Sequence, residues 1–129
     1  MASGGALGSL ARWLLSGWVQ RRAGDGTGWL PLVPAGTLAV NLTGCLAIGF
    51  LATLYEERLA VDPALRTFAL VGVLGGFTTY SAFGFETVAL LRSGNVALAV
   101  ANVTASLVGG LGGVWLGVAL ARAAGGGAS

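Results

Sequence analysis

Residues 71–86 read Val71-Gly-Val-Leu-Gly-Gly-Phe-Thr-Thr-Tyr-Ser-Ala-Phe-Gly-Phe-Glu86 and close a stretch without charged residues that begins after Arg66. Such a stretch would normally form a plain apolar helix. Two adjacent glycines loosen the helical backbone, and the three hydroxyl side chains that follow compete with it for hydrogen bonds. The pattern predicts either a helix that breaks near Gly75–Thr78 or a plain helix whose Ser and Thr side chains bond to the preceding turn.

The rest of the chain has the composition of a membrane protein. Of its 129 residues, 55% are hydrophobic and only 9% are charged, whereas a soluble domain carries about a quarter charged residues. The charge-free intervals are 26–55, 67–85 and 93–121. Each can hold the roughly 20 apolar residues that span a bilayer core, and residues 4–19 form a fourth candidate that is interrupted by one charge, Arg12.

These intervals predict a single transmembrane domain, residues 1–129, of the all-α membrane class. Its four helices are expected at about 4–22, 35–55, 65–91 and 95–121, followed by a disordered tail at 123–129. The first segment is a poor signal peptide, because no basic region precedes it and no clear cleavage site follows. The connecting loops are too short for a soluble domain, so the activity is expected within the membrane.

A break in the third segment would expose main-chain carbonyl groups at membrane depth. Unpaired carbonyls are tolerated there only when they are buried in protein, face water or coordinate an ion. The break is therefore a candidate site for Na⁺ or a similar hard cation held by backbone oxygens. The chain has no histidine and one cysteine, Cys45, which excludes the common zinc sites, histidine-based catalysis and an intrachain disulfide.

Aromatic residues follow the two glycines at regular intervals. Phe77, Tyr80 and Phe83 precede Glu86 in steps of three, so on a helix they would share one gradually turning face. An aromatic stripe usually serves packing, but the positive ring edges can also lie against an anion. Glu86 is an ionisable group in a membrane segment, which marks either a functional site or the interfacial end of that segment.

Neutral polar residues lie within two other segments. Asn41 is inside the second, and Asn102 and Ser106 share a face of the fourth. Amide and hydroxyl donors at this depth either form hydrogen bonds between helices or line a water-filled pathway. A path lined by neutral donors and ring edges would favour a small, strongly hydrogen-bonding anion. Arg12 must face protein or water, or reach towards an edge of the membrane.

The arginines do not indicate an orientation in the membrane. With four crossings, three or four arginines lie on one side and three on the other, whereas a bias in Lys and Arg normally sets the orientation. The balance is compatible with an antiparallel pair of subunits and equally with chance in a small protein. Four short helices enclose little volume, so a solvated pathway is expected to need a second subunit.

The sequence resembles the fluoride channels known as CrcB or Fluc proteins. Three motifs carry the resemblance, in this order: Gly4-Gly5-Ala-Leu-Gly8-Ser-Leu-Ala-Arg12-Trp13, Gly36-Thr37-Leu-Ala-Val-Asn41-Leu-Thr-Gly44-Cys45 and Gly75-Gly76-Phe-Thr78-Thr79-Tyr80-Ser81-Ala-Phe83-Gly-Phe-Glu86. Each motif alone is weak, but all three in order on a four-crossing chain of this length are highly specific. The resemblance implies a third helix broken in mid-membrane and an antiparallel, dual-topology homodimer in the bacterial plasma or inner membrane.

The resemblance also implies an activity and the residues that carry it. The protein is expected to be a fluoride-selective channel, not an enzyme, that exports cytoplasmic fluoride passively and gives fluoride resistance, with no role for nucleic acid. A structural Na⁺ at the dimer interface is expected on the backbone carbonyls of Gly75 and Thr78. The implied fluoride-pore residues are Asn41, Tyr80, Phe83 and Ser106. The implied supporting residues are Arg12, Thr79, Ser81, Glu86 and Asn102.

Two positions depart from the family pattern. Tyr80 stands where Phe is usual and Asn102 where Tyr is common, so the lining of the pore is expected to differ in detail. Some family members pair with an unequal relative, but the balanced arginines favour a homodimer here.

Two other functions are compatible with four membrane helices. A small multidrug transporter needs a carboxylate deep in the membrane to exchange protons for cationic drugs, and this chain offers only Glu86, near the end of a segment. A scaffold subunit that transports nothing would leave the intramembrane polar residues Asn41, Thr78 and Arg12 without a role. Both are therefore less favoured than the channel.

Overall fold

The computed structural model describes residues 1–24 and 33–125, which are almost entirely helical and contain no strand. The helices are α1 (Ala2–Gly24), α2 (Ala35–Glu57), α3 (Pro63–Thr67), α4 (Leu74–Phe77), α5 (Tyr80–Arg92) and α6 (Val96–Gly125), and a π-helical segment, Phe68–Val73, joins α3 to α4. The prediction of an all-α protein is confirmed for these residues.

Three helical stretches are long and apolar enough to cross a membrane: Ala35–Glu57, Pro63–Arg92 and Val96–Gly125. Large apolar side chains, including Trp13, Leu111 and Trp115, are mostly exposed on the outside of the bundle. Extended apolar surface of this kind marks contact with lipid or another protein. The chain is therefore a multi-pass membrane protein.

The centre of the bundle is the pair α2 and α6, whose backbones approach closely. At Gly117 of α6, a Cβ would overlap the carbonyl oxygen of Leu46 and lie 2.7 Å from the amide nitrogen of Phe50. Lipid provides no hydrophobic drive between helices, so small residues that allow backbone contact stabilise such pairs. Val40 of α2 is fully buried within the described residues.

The helix α1 packs against the π-helical segment and α4. A Cβ on Gly8 would overlap the carbonyl oxygen of Val73 and lie 2.8 Å from the amide nitrogen of Phe77. The close approach needs glycine at this position, and it fixes α1 against the part of the third stretch that precedes residue 78.

Local signals explain the ends of the third stretch. It begins at Pro63, a favoured first helical residue, where the Asp62 carboxylate accepts a hydrogen bond of 2.7 Å from the Ala64 amide. It ends at Arg92, and Gly94, two residues later, has a φ of 78° in the left-handed region, a common conformation just after a helix.

The last helix is longer than the sequence analysis predicts. Residues 123–125 belong to α6, so the predicted disordered tail is wrong for these three residues, and residues 126–129 lie outside the described part. Alanine has the highest helix propensity, which favours extension through residues 123 and 124. The Arg58 guanidinium also donates a hydrogen bond of 3.1 Å to the Arg122 carbonyl, and Arg122 donates to Glu57 at 2.9 Å.

Candidate functional site

The helices α4 and α5 are separated by a two-residue junction, Thr78 and Thr79. Both residues are extended, with φ/ψ of −77°/157° at Thr78 and −148°/113° at Thr79. The Thr78 amide and hydroxyl both donate to the Leu74 carbonyl, at 3.0 Å and 3.1 Å. The last turn of α4 is closed in this way, and the chain leaves the helix immediately afterwards.

A side chain from another helix pairs with the backbone of this junction. The Asn41 Nδ2 on α2 donates to the Thr79 carbonyl at 3.0 Å, and the Asn41 Oδ1 accepts from the Thr79 amide at 2.8 Å. The Asn41 side chain thus provides a hydrogen-bond partner for both the N–H and the C=O group of Thr79, which a continuous helix would have paired with other backbone groups. Because an unpaired backbone group in lipid costs several kcal/mol, Asn41 stabilises the extended conformation of Thr79.

The break leaves the carbonyls of residues 75–78 without their helical donors, as at the end of any helix, and two of those donors have new partners. In a continuous helix, the Thr79 amide would donate to Gly75 and the Ala82 amide to Thr78. Here the Thr79 amide donates to Asn41, and the Ala82 amide donates to the Thr79 Oγ1 at 3.3 Å. Carbonyl oxygens are suitable ligands for a hard cation. Gly75 and Thr78 are the residues whose carbonyls the sequence analysis names as ligands of the expected Na⁺.

The surroundings of the junction are open on one side. Apart from its chain neighbours and the backbone of its own helix, no heavy atom of the described residues lies within 4 Å of the position that a Cβ would take at Gly75. A cavity of about 310 Å³ adjoins this side and is lined by Asn41, Gly44, Ile48, Gly75, Thr78 and Tyr80, among others. The space beside the freed carbonyls is therefore accessible from outside the single chain.

The hydroxyl of Thr79 caps the start of α5. In addition to accepting from Ala82, its Oγ1 lies 3.4 Å from the Ser81 Oγ. A threonine at this position satisfies one of the unpaired amides of the first helical turn. Thr79 and Ser81, predicted as supporting residues, thus meet at the junction.

The two predicted pore aromatics lie together on the first turn of α5. The ring centroids of Tyr80 and Phe83 are 5.7 Å apart with an interplanar angle of 41°. Tyr80 is 85% exposed, and Phe83 is half-buried. The predicted stripe does not extend to Phe77, because Phe77 ends α4 and two extended residues interrupt the helical spacing before Tyr80.

Glu86 lies one turn further along α5 and bonds to α2. The Thr37 Oγ1 donates to the Glu86 Oε1 at 2.6 Å, and the Glu86 Oε2 is buried without a hydrogen-bond partner among the described residues. Thr37 is itself 8% exposed. The sequence analysis missed Thr37, although its position four residues before Asn41 places both on one face of α2.

A second cavity, of about 620 Å³, lies between α1, α2 and α5. It is lined by polar side chains from all three helices, among them Ser9, Arg12, Gln20, Thr37, Thr79 and Glu86. The structure therefore brings Arg12 and Glu86 to one cavity, with no ion pair between them in the described residues. Arg12 faces this cavity, one of the environments predicted for it.

The polar residues of α6 lie at a separate position. Asn102 is 7% exposed and donates to the Thr87 Oγ1 on α5 at 3.0 Å. Ser106 is one turn further along α6 and half-buried, and neither cavity beside the junction reaches it. The single chain thus assembles Asn41, Thr79 and Glu86 but leaves Ser106 apart.

Comparison with known proteins identifies the family. The family described as "CrcB-like protein, Camphor Resistance (CrcB)" matches residues 1–118. Among its relatives, the fluoride-specific ion channel FluC of Methylobacillus flagellatus is 46% identical over 122 residues, 95% of this chain and 91% of the relative. The protein of that name from Rhizobium meliloti is 42% identical over 123 residues, covering 95% and 94%. The one from Opitutus terrae is 48% identical over 119 residues, covering 91% and 86%.

The matches extend far beyond the three motifs from which the sequence analysis names a resemblance, and that resemblance is confirmed. The chain belongs to the CrcB-like family.

Proposed function

We propose that this protein is a fluoride-selective channel, not an enzyme, through which cytoplasmic fluoride leaves the cell down its electrochemical gradient. Relatives that are 42% to 48% identical over nearly their whole length carry the name fluoride-specific ion channel. The observation that carries the proposal is the α4–α5 junction, where the neutral amide of Asn41 on α2 hydrogen-bonds to the extended backbone of Thr79 within an apolar stretch. Passive flow lowers intracellular fluoride and gives resistance to it.

The proposed channel subunit crosses the membrane four times. As the first crossing, the 23 residues of α1 would measure about 35 Å at 1.5 Å per residue, enough for a hydrocarbon core of about 30 Å. Its one central charge, Arg12, lines the cavity with Glu86 and so avoids lipid. In the third crossing, 63–92, residues 78 and 79 lie near the middle, which supports a helix broken in mid-membrane.

A second copy of the chain, inserted antiparallel, completes the proposed channel. The open side of Gly75 and the exposed Tyr80 would face lipid in a lone subunit. Backbone and hydroxyl groups are not left unpaired in hydrocarbon, so a protein surface is expected to cover them. The balanced arginines suit a pair of opposite orientations.

A Na⁺ at the interface of this homodimer is the proposed structural cation. Each subunit would offer the carbonyl oxygens of Gly75 and Thr78, whose helical donors are redirected to Asn41 and Thr79. Oxygen ligands of this kind suit a hard cation. The ion would hold the two broken helices together by neutralising the partial negative charge of their carbonyls.

The proposed anion path follows neutral donors and ring edges. Asn41 uses one Nδ2 hydrogen for Thr79, so its second hydrogen is available to fluoride. The positive edges of the Tyr80 and Phe83 rings provide further contacts, and Ser106 would continue the path on α6. None of these groups carries a fixed positive charge, so the path favours a small anion that forms strong hydrogen bonds.

Growth of fluoride-sensitive bacteria tests the function in cells. A strain without its own fluoride exporter should regain growth in fluoride when it produces this chain, because the trapped anion can leave. The variant Asn41→Ala should not restore growth. If the native chain reaches the membrane, as an immunoblot can establish, and the strain still fails to grow, the proposed export is wrong.

Accessibility labelling tests the antiparallel dimer. In a chain with Cys45→Ala, a cysteine introduced by Ser129→Cys should react with a membrane-impermeant thiol reagent from both faces of the membrane, about half of the molecules from each. Labelling from one face only would contradict dual topology, whether or not the chain conducts fluoride. Permeabilised membranes provide the control for complete labelling.

A further inference from the structure

A chain of two hydrogen bonds joins α6 to the backbone of an aromatic residue on α5. The Asn102 Nδ2 donates to the Thr87 Oγ1 at 3.0 Å, and the Thr87 Oγ1 donates to the Phe83 carbonyl at 2.7 Å. Asn102 is 7% exposed, so it has little access to other partners.

The direction of this chain follows from the chemistry of its members. The Phe83 carbonyl can only accept, so the single proton of the Thr87 hydroxyl is committed to it. The Thr87 oxygen must then accept from Asn102, and the nitrogen of the Asn102 amide must face α5. The orientation of the amide is thus determined by its neighbour rather than by a choice between oxygen and nitrogen.

A groove open to the outside of the bundle lies beside this pair, and several of its lining side chains are exposed. The groove has a volume of about 210 Å³ and is lined by Thr87, Leu91, Ala99, Val100, Val103 and Thr104. Exposed apolar side chains can change rotamer at little cost, whereas a hydrogen bond inside a membrane has no water to replace it. The polar pair therefore determines the rotation of α5 relative to α6 better than the apolar contacts do.

We infer that Asn102 is a positioning residue that, through Thr87, holds Phe83 at the distance from which its ring selects fluoride over chloride. Asn102 acts on the helix that carries the ring and does not contact the ion. If the Asn102–Thr87 hydrogen bond is lost, α5 can rotate, and the Phe83 ring can move away from the path and admit chloride. The inference rests on the proposed fluoride channel.

The test is the ratio of fluoride to chloride efflux from liposomes that contain purified protein. Thr87→Val keeps the shape of the side chain but removes the hydroxyl, and Asn102→Leu removes the donor. We expect each to lower the ratio roughly tenfold, which corresponds to about 1.4 kcal/mol. The double variant should be no worse than either single one, because both act on one hydrogen-bonded unit.

Two further variants separate positioning from general damage. Thr87→Ser retains the hydroxyl and should keep the native ratio, and Thr104→Val removes an exposed hydroxyl of α6 and should also leave it unchanged. If Thr87→Ser lowers the ratio as much as Thr87→Val, the hydroxyl is not the cause and the inference is wrong. Should Thr87→Val not fold, Asn102→Ala removes the same hydrogen bond and must lower the ratio.

The outcome distinguishes this inference from the function on which it rests. A native protein that releases no fluoride would refute the channel itself. A native channel whose Thr87→Val and Asn102→Ala variants fold and keep its selectivity would refute only the positioning role.

Discussion

Replacing Asn41 with alanine should abolish fluoride efflux from liposomes that contain the purified protein. The substitution leaves the amide and the carbonyl of Thr79 without partners, because Asn41 is bonded to both. Each unsatisfied buried group costs about 1–3 kcal/mol, so the extended junction loses about 2–6 kcal/mol relative to other conformations. At 1.4 kcal/mol per factor of ten, the equilibrium constant for forming the extended junction should fall by at least about thirtyfold. Efflux measured with a fluoride electrode is the readout.

Two variants of the same helix make this prediction specific. Asn41→Asp keeps an acceptor for the Thr79 amide but loses the donor to the Thr79 carbonyl and places a carboxylate on the proposed anion path, so its fluoride efflux should be lost as in Asn41→Ala. Thr43→Ala should conduct normally, because among the described residues the exposed Thr43 hydroxyl bonds to nothing but the Ala39 carbonyl of its own helix. Native efflux and thermal stability in Asn41→Ala would contradict the role given to this amide.

Replacing Phe83 with isoleucine should slow fluoride efflux while the protein still assembles. Isoleucine preserves an apolar side chain in the half-buried position but has no ring edge to offer an anion. The barrier should rise by 1.4 kcal/mol or more, which slows transport by about tenfold or more. Efflux rates and the elution volume in detergent measure the two parts of the prediction.

A neighbouring aromatic residue provides the matched control. Phe85 is 78% exposed and lies two residues from Phe83 on α5, which turns it away from the ring of Tyr80. Phe85→Ile should therefore leave efflux unchanged. Equal losses in both variants would mean that general damage to α5, rather than a missing ring edge, slows transport, and native efflux in Phe83→Ile would remove Phe83 from the path.

The sequence predicts the fold class because apolarity along this chain is nearly sufficient to determine it. Long charge-free intervals must be helical in lipid, since only helices satisfy their own backbone groups there. The sequence also indicates a break near Gly75–Thr78, where glycines and hydroxyls concentrate. In the structure the extended residues are Thr78 and Thr79, whereas residues 75–77 are still helical. The depth of this junction in the membrane stays a prediction.

The partners of that irregular backbone could not be predicted from local pattern. Asn41 and Thr79 are 38 residues apart, and nothing in either segment specifies that one pairs with the other. The aromatic spacing wrongly places Phe77 on the same face as Tyr80 and Phe83. A period of three indicates a shared face only while the helix is continuous, and the helix is interrupted after Phe77. Thr87 lies just outside the last motif, so the motifs do not mark it as a site residue. Its bond to Asn102 follows from the packing of α5 against α6.

Ion efflux from liposomes tests the central claim most directly. Liposomes that hold purified native protein and potassium salts of fluoride or chloride receive a potassium ionophore, which allows the anion to leave without building up a voltage. The account predicts rapid release of fluoride and far slower release of chloride, with neither ion released from protein-free liposomes. Equal release of the two anions, or no release of fluoride, would contradict the assignment of this protein as a fluoride-selective channel.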